Sequence, residues 1–329
     1  MENTLPWWHP RRFAERRARL EARARIASGL REHFAREGFV EVETPALQVS
    51  PGLEPHLVAF ETRLRAPDGK NERALYLHTS PEFAMKKLLV AGVPRLFQLA
   101  HAFRNAERSS THHPEFTMLE WYRAGSDYTA LMADCERLLR VALEASGRDR
   151  LAFRGVECDP RLPAERISVA EAFAKRANRD VFALEPAPGD TFEDCFFRVF
   201  LNEIEPKLGI GRPTLVYDWP IALGALARAK ASDPRVAERV ELYVSGLELA
   251  NGFSELTDAA EQRRRFEHDL AEKARLCGER YPIDHAFLAA LEYGLPASAG
   301  MALGFDRLVM CATGASRIDD VLWAPVDEE

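Results

Sequence analysis

Apolar residues recur at helical spacing between residues 13 and 37. Leu20, Ala24, Ala27, Leu30 and Phe34 form one stripe, and Gly38 follows as a stop signal. The period then changes. Phe39-Val40-Glu41-Val42-Glu43 alternates like a strand and ends before Thr44-Pro45. From Ser80 to Gly92 the punctuation predicts a helix: Ser80 can cap it, Pro81 suits its first position and Gly92 closes it. Leu96 to Arg104 alternates, with Phe97, Leu99, His101 and Phe103 on one face and Gln98 and Arg104 on the other. Phe116, Met118, Glu120 and Tyr122 share a face of the next strand, and the polar stretch from Asn105 to His113 makes the pair a long hairpin. Residues 128 to 146 and 194 to 208 read as helices, with a surface loop at 185 to 190 inside an inserted helical region of about 128–210. Two short strands, Glu241 to Val244 and Leu247 to Ala250, flank Ser245-Gly246. A helix is predicted over Ala259 to Cys277, and a strand at Ala299 to Leu303 runs through Gly304 into a last helix.

This mixture predicts an α+β fold around a mainly antiparallel sheet, in one unit spanning 1–329. There is no internal repeat, no βαβ rhythm, no G-x-G-x-x-G and no Walker loop, so any nucleotide site must be of another kind. With 329 residues, 47% of them hydrophobic, the chain can bury a large core. Its net charge of −7 argues against a whole-surface attraction to nucleic acid. The stretch from Arg11 to Arg25 carries seven arginines and is read as a solvated helix face with i,i+4 pairs, the other option being a dock for an acidic partner. The polar start, Met1 to Arg12, lacks a signal-peptide core, and no apolar run reaches the roughly 18 residues of a membrane span. Cys135, Cys158, Cys195, Cys277 and Cys311 are odd in number and lack a C-x-x-C, which fits reduced thiols in a cytoplasmic protein.

Chemistry enters at the hairpins. If Ser245-Gly246 is a two-residue turn, Tyr243 faces Glu248, and Glu241 lies diagonally from Glu248 on the same face. Diagonal neighbours are about 7–8 Å apart, within reach of a shared cation. Oxygen ligands of this type suit Mg²⁺, which bridges to substrate phosphates; the plain alternative is two exposed carboxylates on a solvated hairpin. In the long hairpin, Arg104 can grip a phosphate or carboxylate, Phe116 can stack on a base, and Glu120 with Tyr122 can hold an ammonium. A core phenylalanine and a structural Arg–Glu pair are the corresponding alternatives. His112 and His113 are read as loop residues near the nucleotide with no general-base role.

The order of these pieces resembles the class II aminoacyl-tRNA synthetases, and most closely their lysyl branch. Gly38 to Pro45 looks like motif 1. Phe103-Arg104-Asn105 with Pro114 to Tyr122 looks like motif 2. Gly246 to Leu256 looks like the lysine and metal segment, and Gly300 to Arg307 looks like motif 3. The resemblance implies the class II antiparallel sheet flanked by helices, a homodimer, and adenylate formation from ATP and an amino acid. It implies catalytic roles for Arg104, on the α-phosphate and substrate carboxylate, and for Arg307, which with Phe116 would sandwich adenine. ATP contacts would also come from Asn105, Ala106, His113, Glu248, Leu249 and Gly304, and Mg²⁺ would sit on Glu241 and Glu248. Ser80, Pro81 and Glu82 would meet the α- or β-amino group, and Glu120, Tyr122 and Glu255 the ε-ammonium.

The segments His56 to Arg63, Thr79 to Glu82 and Leu88 to Gly92 are similar to the truncated paralogues, the elongation factor P–(R)-β-lysine ligase family. The catalytic stretch begins almost at Met1, so no anticodon-reading OB-fold is expected. Ala302, where the synthetases place Gly, reshapes the pocket and suits a β-amino acid. The implied activity is transfer of (R)-β-lysine to a lysine of elongation factor P, with no membrane role and no stable tRNA complex. Three positions depart from the synthetase pattern: Ala106 stands for Glu with Glu107 displaced by one, His113 stands for Asn, and Ser254 is more synthetase-like than the His of some ligases. The rivals are an enzyme charging tRNA and an inactive regulatory paralogue, for which Ala106 is the only support.

Overall fold

The computed structural model describes residues 5–326, so the outermost residues of the predicted 1–329 unit, including the first four of its polar start, lie outside the described residues. Helix α1 (Pro10–Arg36) starts earlier than the periodicity indicates, because His9 caps it by accepting from Arg11 N and Pro10 supplies a preset φ at its first turn. Its buried face is Leu20, Ile26, Leu30 and Phe34 together with Arg16 and Arg23, whereas Ala24 is exposed. The arginine run is therefore not simply a solvated face. Arg16 donates to the carbonyl of Leu322, and Arg23 pairs with Asp306 and donates to Thr117 Oγ1 at 2.8 Å. Arg17, paired with Glu21 at 2.9 Å, does behave as an exposed i,i+4 pair.

A nine-stranded sheet forms the centre. Its order is β1 (Val40–Glu41), β5 (Arg95–Phe103), β6 (Glu115–Ala124), β14 (Ser298–Gly304), β13 (Leu247–Ser254), β12 (Asp233–Val244), β10 (Thr214–Pro220) and β9 (Glu165–Ser168), with β11 (Ala229–Lys230) beside β12. β1 and β9 pair parallel to their neighbours and the rest of the path is antiparallel. The motif 1 strand is shorter than its alternation suggests. Only Val40 and Glu41 pair, and both are exposed. A three-stranded sheet, β2 (Leu47–Gln48), β4 (Glu72–Leu77) and β3 (Glu61–Arg65), and a β7 (Leu151–Phe153)–β8 (Val156–Cys158) hairpin complete the strands.

Helices α1, α3 (Tyr128–Ser146) and α8 (Phe305–Thr313) pack together on the sheet through Ile26, Leu30, Leu138, Leu139, Leu308 and Val309. Asp127 caps α3, and Gly147 ends it at φ 73°. The region expected as a helical insertion thus divides. α3 belongs to the main core, while α4 (Val169–Ala177) and α5 (Phe192–Val199) build a second cluster with Phe200, Trp219 and Tyr243. The single helix expected over 194–208 is α5, a wide turn at Phe200–Ile204 and a tight turn at Glu205–Lys207, with Pro206 breaking the bond ladder. On the opposite side, α2 (Glu82–Val90), α6 (Ala259–Cys277) and α7 (His285–Gly294) meet at Phe83, Phe266 and Phe287. α2 begins at Glu82 with Pro81 as its cap position, and the Ser80 hydroxyl accepts from Glu82 N at 3.0 Å. The five cysteines are free. Among the described residues no helix is long and apolar enough to cross a membrane.

Candidate active site

A cavity of about 790 Å³ opens over the sheet and is lined from β6, β13, β14, α2, α5, α6 and the loops around them. That size suits a ligand of nucleotide dimensions. Strand register brings the predicted residues to it. Ala302 stands opposite Glu120 on one side and Asn251 on the other, and Gly300 stands opposite Tyr122 and Phe253. A Cβ at Gly300 would collide with the Tyr122 ring and with Glu255 Oε1, so glycine here leaves the floor of the pocket to those two side chains.

Glu120 is buried and its oxygens accept from the hydroxyls of Ser80 and, at 3.0 Å, of Tyr122. Burial, reinforced by Glu82, pushes its carboxyl up to about 8. Glu255 is pushed to about 8 by burial, with Glu82 adding to the rise and Lys86 opposing it. Lys86 was not legible as a site residue. Its Nζ lies 2.5 Å from Glu82 Oε1 and 2.5 Å from Glu255 Oε2, so the two carboxylates expected at opposite ends of an amino acid are bridged by one internal ammonium. Burial alone would depress this lysine, but Glu255 and Glu82 hold it above its ordinary value. Pro81 lines a smaller adjoining pocket with Ser80 and Glu82 rather than the main cavity.

Arg104 lies in the cavity wall with its guanidinium over the Phe116 ring at 5.1 Å, and its buried Nε has no hydrogen-bond partner. Arg307 donates from Nη1 to the Glu248 carbonyl at 3.0 Å and sets Nη2 2.7 Å from His112 Nε2. Burial and then Arg307 lower His112, which keeps that ring neutral and able to accept. His113 is buried, with one ring nitrogen against the Glu115 carbonyl and the other accepting from Val326 N at 3.1 Å, so it contributes wall and no free donor. Leu249 and Gly304 also line the cavity. Asn105 and Ala106 do not: both are exposed, Asn105 N is tied to the Val58 carbonyl at 2.7 Å, and Ala106 sits at φ 61°. The next residue, Glu107, is in the wall, so the displaced carboxylate reaches the cavity from its shifted position.

Ser245 and Gly246 have φ of 56° and 75°, as a two-residue hairpin turn of right-handed twist requires, and Tyr243 faces Glu248. Beyond that pair a one-residue bulge at Leu249 shifts the register and sets Asn251 opposite Glu241. The immediate partners of Glu241 are Arg239 at 2.6 Å and the Tyr243 hydroxyl at 2.5 Å. Burial raises the Glu241 carboxyl to about 7, Arg239 opposing and Glu248 adding. Glu205, missed in the sequence, is raised to about 7 by burial and by Glu248. Among the described residues no group of three or more His, Cys, Asp or Glu is placed to hold a metal. Glu248 lines the cavity and its charge adds to the raised proton affinity of Glu241 behind it; such a carboxylate pair has the donor chemistry for Mg²⁺ when phosphates complete its shell.

The profile of the family described as tRNA synthetases class II (D, K and N) matches residues 7–328. Three relatives carry the name elongation factor P–(R)-beta-lysine ligase. The protein of Proteus mirabilis (strain HI4320) is 41% identical over 314 residues, 94% of this chain and 95% of the relative. That of Enterobacter sp. (strain 638) is 44% identical over 313 residues, 93% and 94%. That of Salmonella arizonae (strain ATCC BAA-731 / CDC346-86 / RSK2980) is 43% identical over 310 residues, 93% and 94%.

Proposed function

The chain belongs to the elongation factor P–(R)-β-lysine ligase family of the class II tRNA synthetases, and on that premise we propose that it activates (R)-β-lysine with ATP and passes it to a lysine ε-amino group of elongation factor P. The observation that carries this reading is the carboxylate set of buried Glu120 and Glu255 with partly buried Glu82, in the same cavity as Arg104 and Phe116. An ammonium group buried without compensation is costly, so such a set selects an amino acid with a charged side chain.

In this reading the substrate carboxylate attacks the α-phosphorus of ATP in line, and pyrophosphate leaves. Arg104 draws the carboxylate and phosphate together with the guanidinium donor that nothing else uses. Phe116 and Arg307 flank the adenine, with Leu249 and Gly304 as walls, and Glu107 takes the place expected of Asn105 and Ala106. Glu241 and Glu248 would hold Mg²⁺, which supplies charge neutralisation for the phosphates when bound. No general base is needed for this step; positioning and charge neutralisation do the work. The free amine of the acceptor lysine then attacks the acyl carbon, an amide forms and AMP departs. Ser80 orients Glu120, and Ala302 trims the space beside it.

The same reading has the chain acting as one catalytic unit in the cytoplasm, without a stable tRNA complex. It acts as a homodimer through the exposed apolar side chains Val40, Leu47 and Val49 near the motif 1 strand. ATP–pyrophosphate exchange, run in parallel with (R)-β-lysine and α-lysine, tests the activation step. Exchange that is stronger with the β-isomer is expected, and no exchange with either would overturn the reading.

A further inference from the structure

We propose that Lys86 is a resident counter-ion that sets the charge of the amino-acid pocket and so selects a substrate with two ammonium groups; this rests on the reading that the cavity takes a diamino acid. The side chain is 1% exposed and its ammonium joins two walls, Glu82 on α2 and Glu255 just after β13. Two aromatic faces complete its surroundings, Phe253 at 5.3 Å and Phe287 at 5.9 Å from Nζ. The charged and titratable groups facing it are Glu82 from its own helix, Glu255, and Glu120 with Tyr122 from β6, whereas α7 and β13 present rings.

The charge count then decides. With a ligand bound that draws the protons off Glu120 and Glu255, the three carboxylates Glu82, Glu120 and Glu255 and the one ammonium, Lys86, leave two negative charges. Two substrate ammonium groups cancel them, while an amino acid with one leaves a buried charge unpaired, the arrangement proteins tolerate least. A receptor oxygen is also ready: Glu255 Oε1 is buried, has no hydrogen-bond partner and occupies, with the Tyr122 ring, the space left by the missing Cβ of Gly300. Without Lys86 the pocket would carry a third negative charge, and Glu255, deprived of its nearest cation, would hold its proton more tightly against a substrate ammonium.

The test is steady-state pyrophosphate exchange with (R)-β-lysine across pH for the parent, Lys86→Met and Glu82→Gln/Lys86→Met, with melting curves for each. For Lys86→Met the KM for the amino acid is expected to rise about tenfold or more, the KM for ATP to stay within about twofold, and the acid limb of kcat/KM to move up by about one pH unit. The double variant restores the count of two negative charges, so it is expected to bind substrate at least about threefold better than Lys86→Met. If Lys86→Met does not fold, the double variant is expected to fold. An unmoved pH profile, an equal rise in both KM values, or a double variant no better than the single overturns the proposal. Absence of exchange by the parent with any diamino acid would instead overturn the functional reading on which it rests.

Discussion

Tyr122 donates its hydroxyl to Glu120 at 3.0 Å inside a pocket where burial holds Glu120 near 8. Glu255 stands near 8 as well. The sign follows from the raised values: the protonated carboxyls stabilise the empty protein below their ordinary 4.5, and that contribution is lost as pH rises through about 8. A bound diammonium ligand stabilises the ionised forms and releases the protons. The gain in melting temperature on adding (R)-β-lysine is therefore expected to grow between pH 6 and pH 8.5, with affinity rising up to about tenfold per pH unit for each carboxylate. A gain that is the same at both ends of this window would contradict the assignment of both groups to the pocket.

Glu255→Gln keeps the shape but removes one buried charge. Loss of a charge-assisted hydrogen bond costs about 1.5–3 kcal/mol, or roughly ten- to hundredfold in kcat/KM for lysine-like substrates. Discrimination of lysine from norleucine, measured by pyrophosphate exchange, is expected to shrink accordingly. Unchanged discrimination removes Glu255 from the substrate pocket.

Glu241→Gln and Glu248→Gln are each expected to cut adenylate formation by about a hundredfold or more while leaving the melting temperature within a few degrees, since transition-state charge stabilisation of this kind is worth several kcal/mol. Near-normal exchange in both variants at saturating Mg²⁺ would sink the metal assignment.

Because Glu107 and not Ala106 lines the cavity, Ala106→Glu is expected to leave the KM for ATP within about twofold, and Glu107→Ala to raise it about tenfold, as loss of one hydrogen bond to a charged group does. The opposite ranking would restore the family's usual position as the working one.

The faces of β6 and β14 were legible because strict alternation fixes which residues share a side, and Ser245-Gly246 announced its turn through residues that accept positive φ. The bulge at Leu249 was not, since Leu-Glu-Leu-Ala reads as strand in either register. Lys86 escaped because a lysine four places after a glutamate on a helix reads as an exposed pair, and its burial depends on Glu255, Phe253 and Phe287, far along the chain. Arg16 and Arg23 misled for the same reason: their partners, the Leu322 carbonyl and Asp306, lie near the other end of the sequence. Strands β3 and β4 flank Pro67-Asp68-Gly69, a turn signal that was there and was missed, whereas β9 and β10 pair parallel across a long stretch of chain and are decided by tertiary contacts.

Transfer to the acceptor tests the central claim most directly. Enzyme, ATP, Mg²⁺ and labelled (R)-β-lysine are incubated separately with elongation factor P and with tRNA-Lys, and the label on each is counted. Label is expected on a lysine side chain of elongation factor P, stable to mild alkali as an amide, with tRNA at background. Efficient charging of tRNA-Lys with elongation factor P left unlabelled would contradict it.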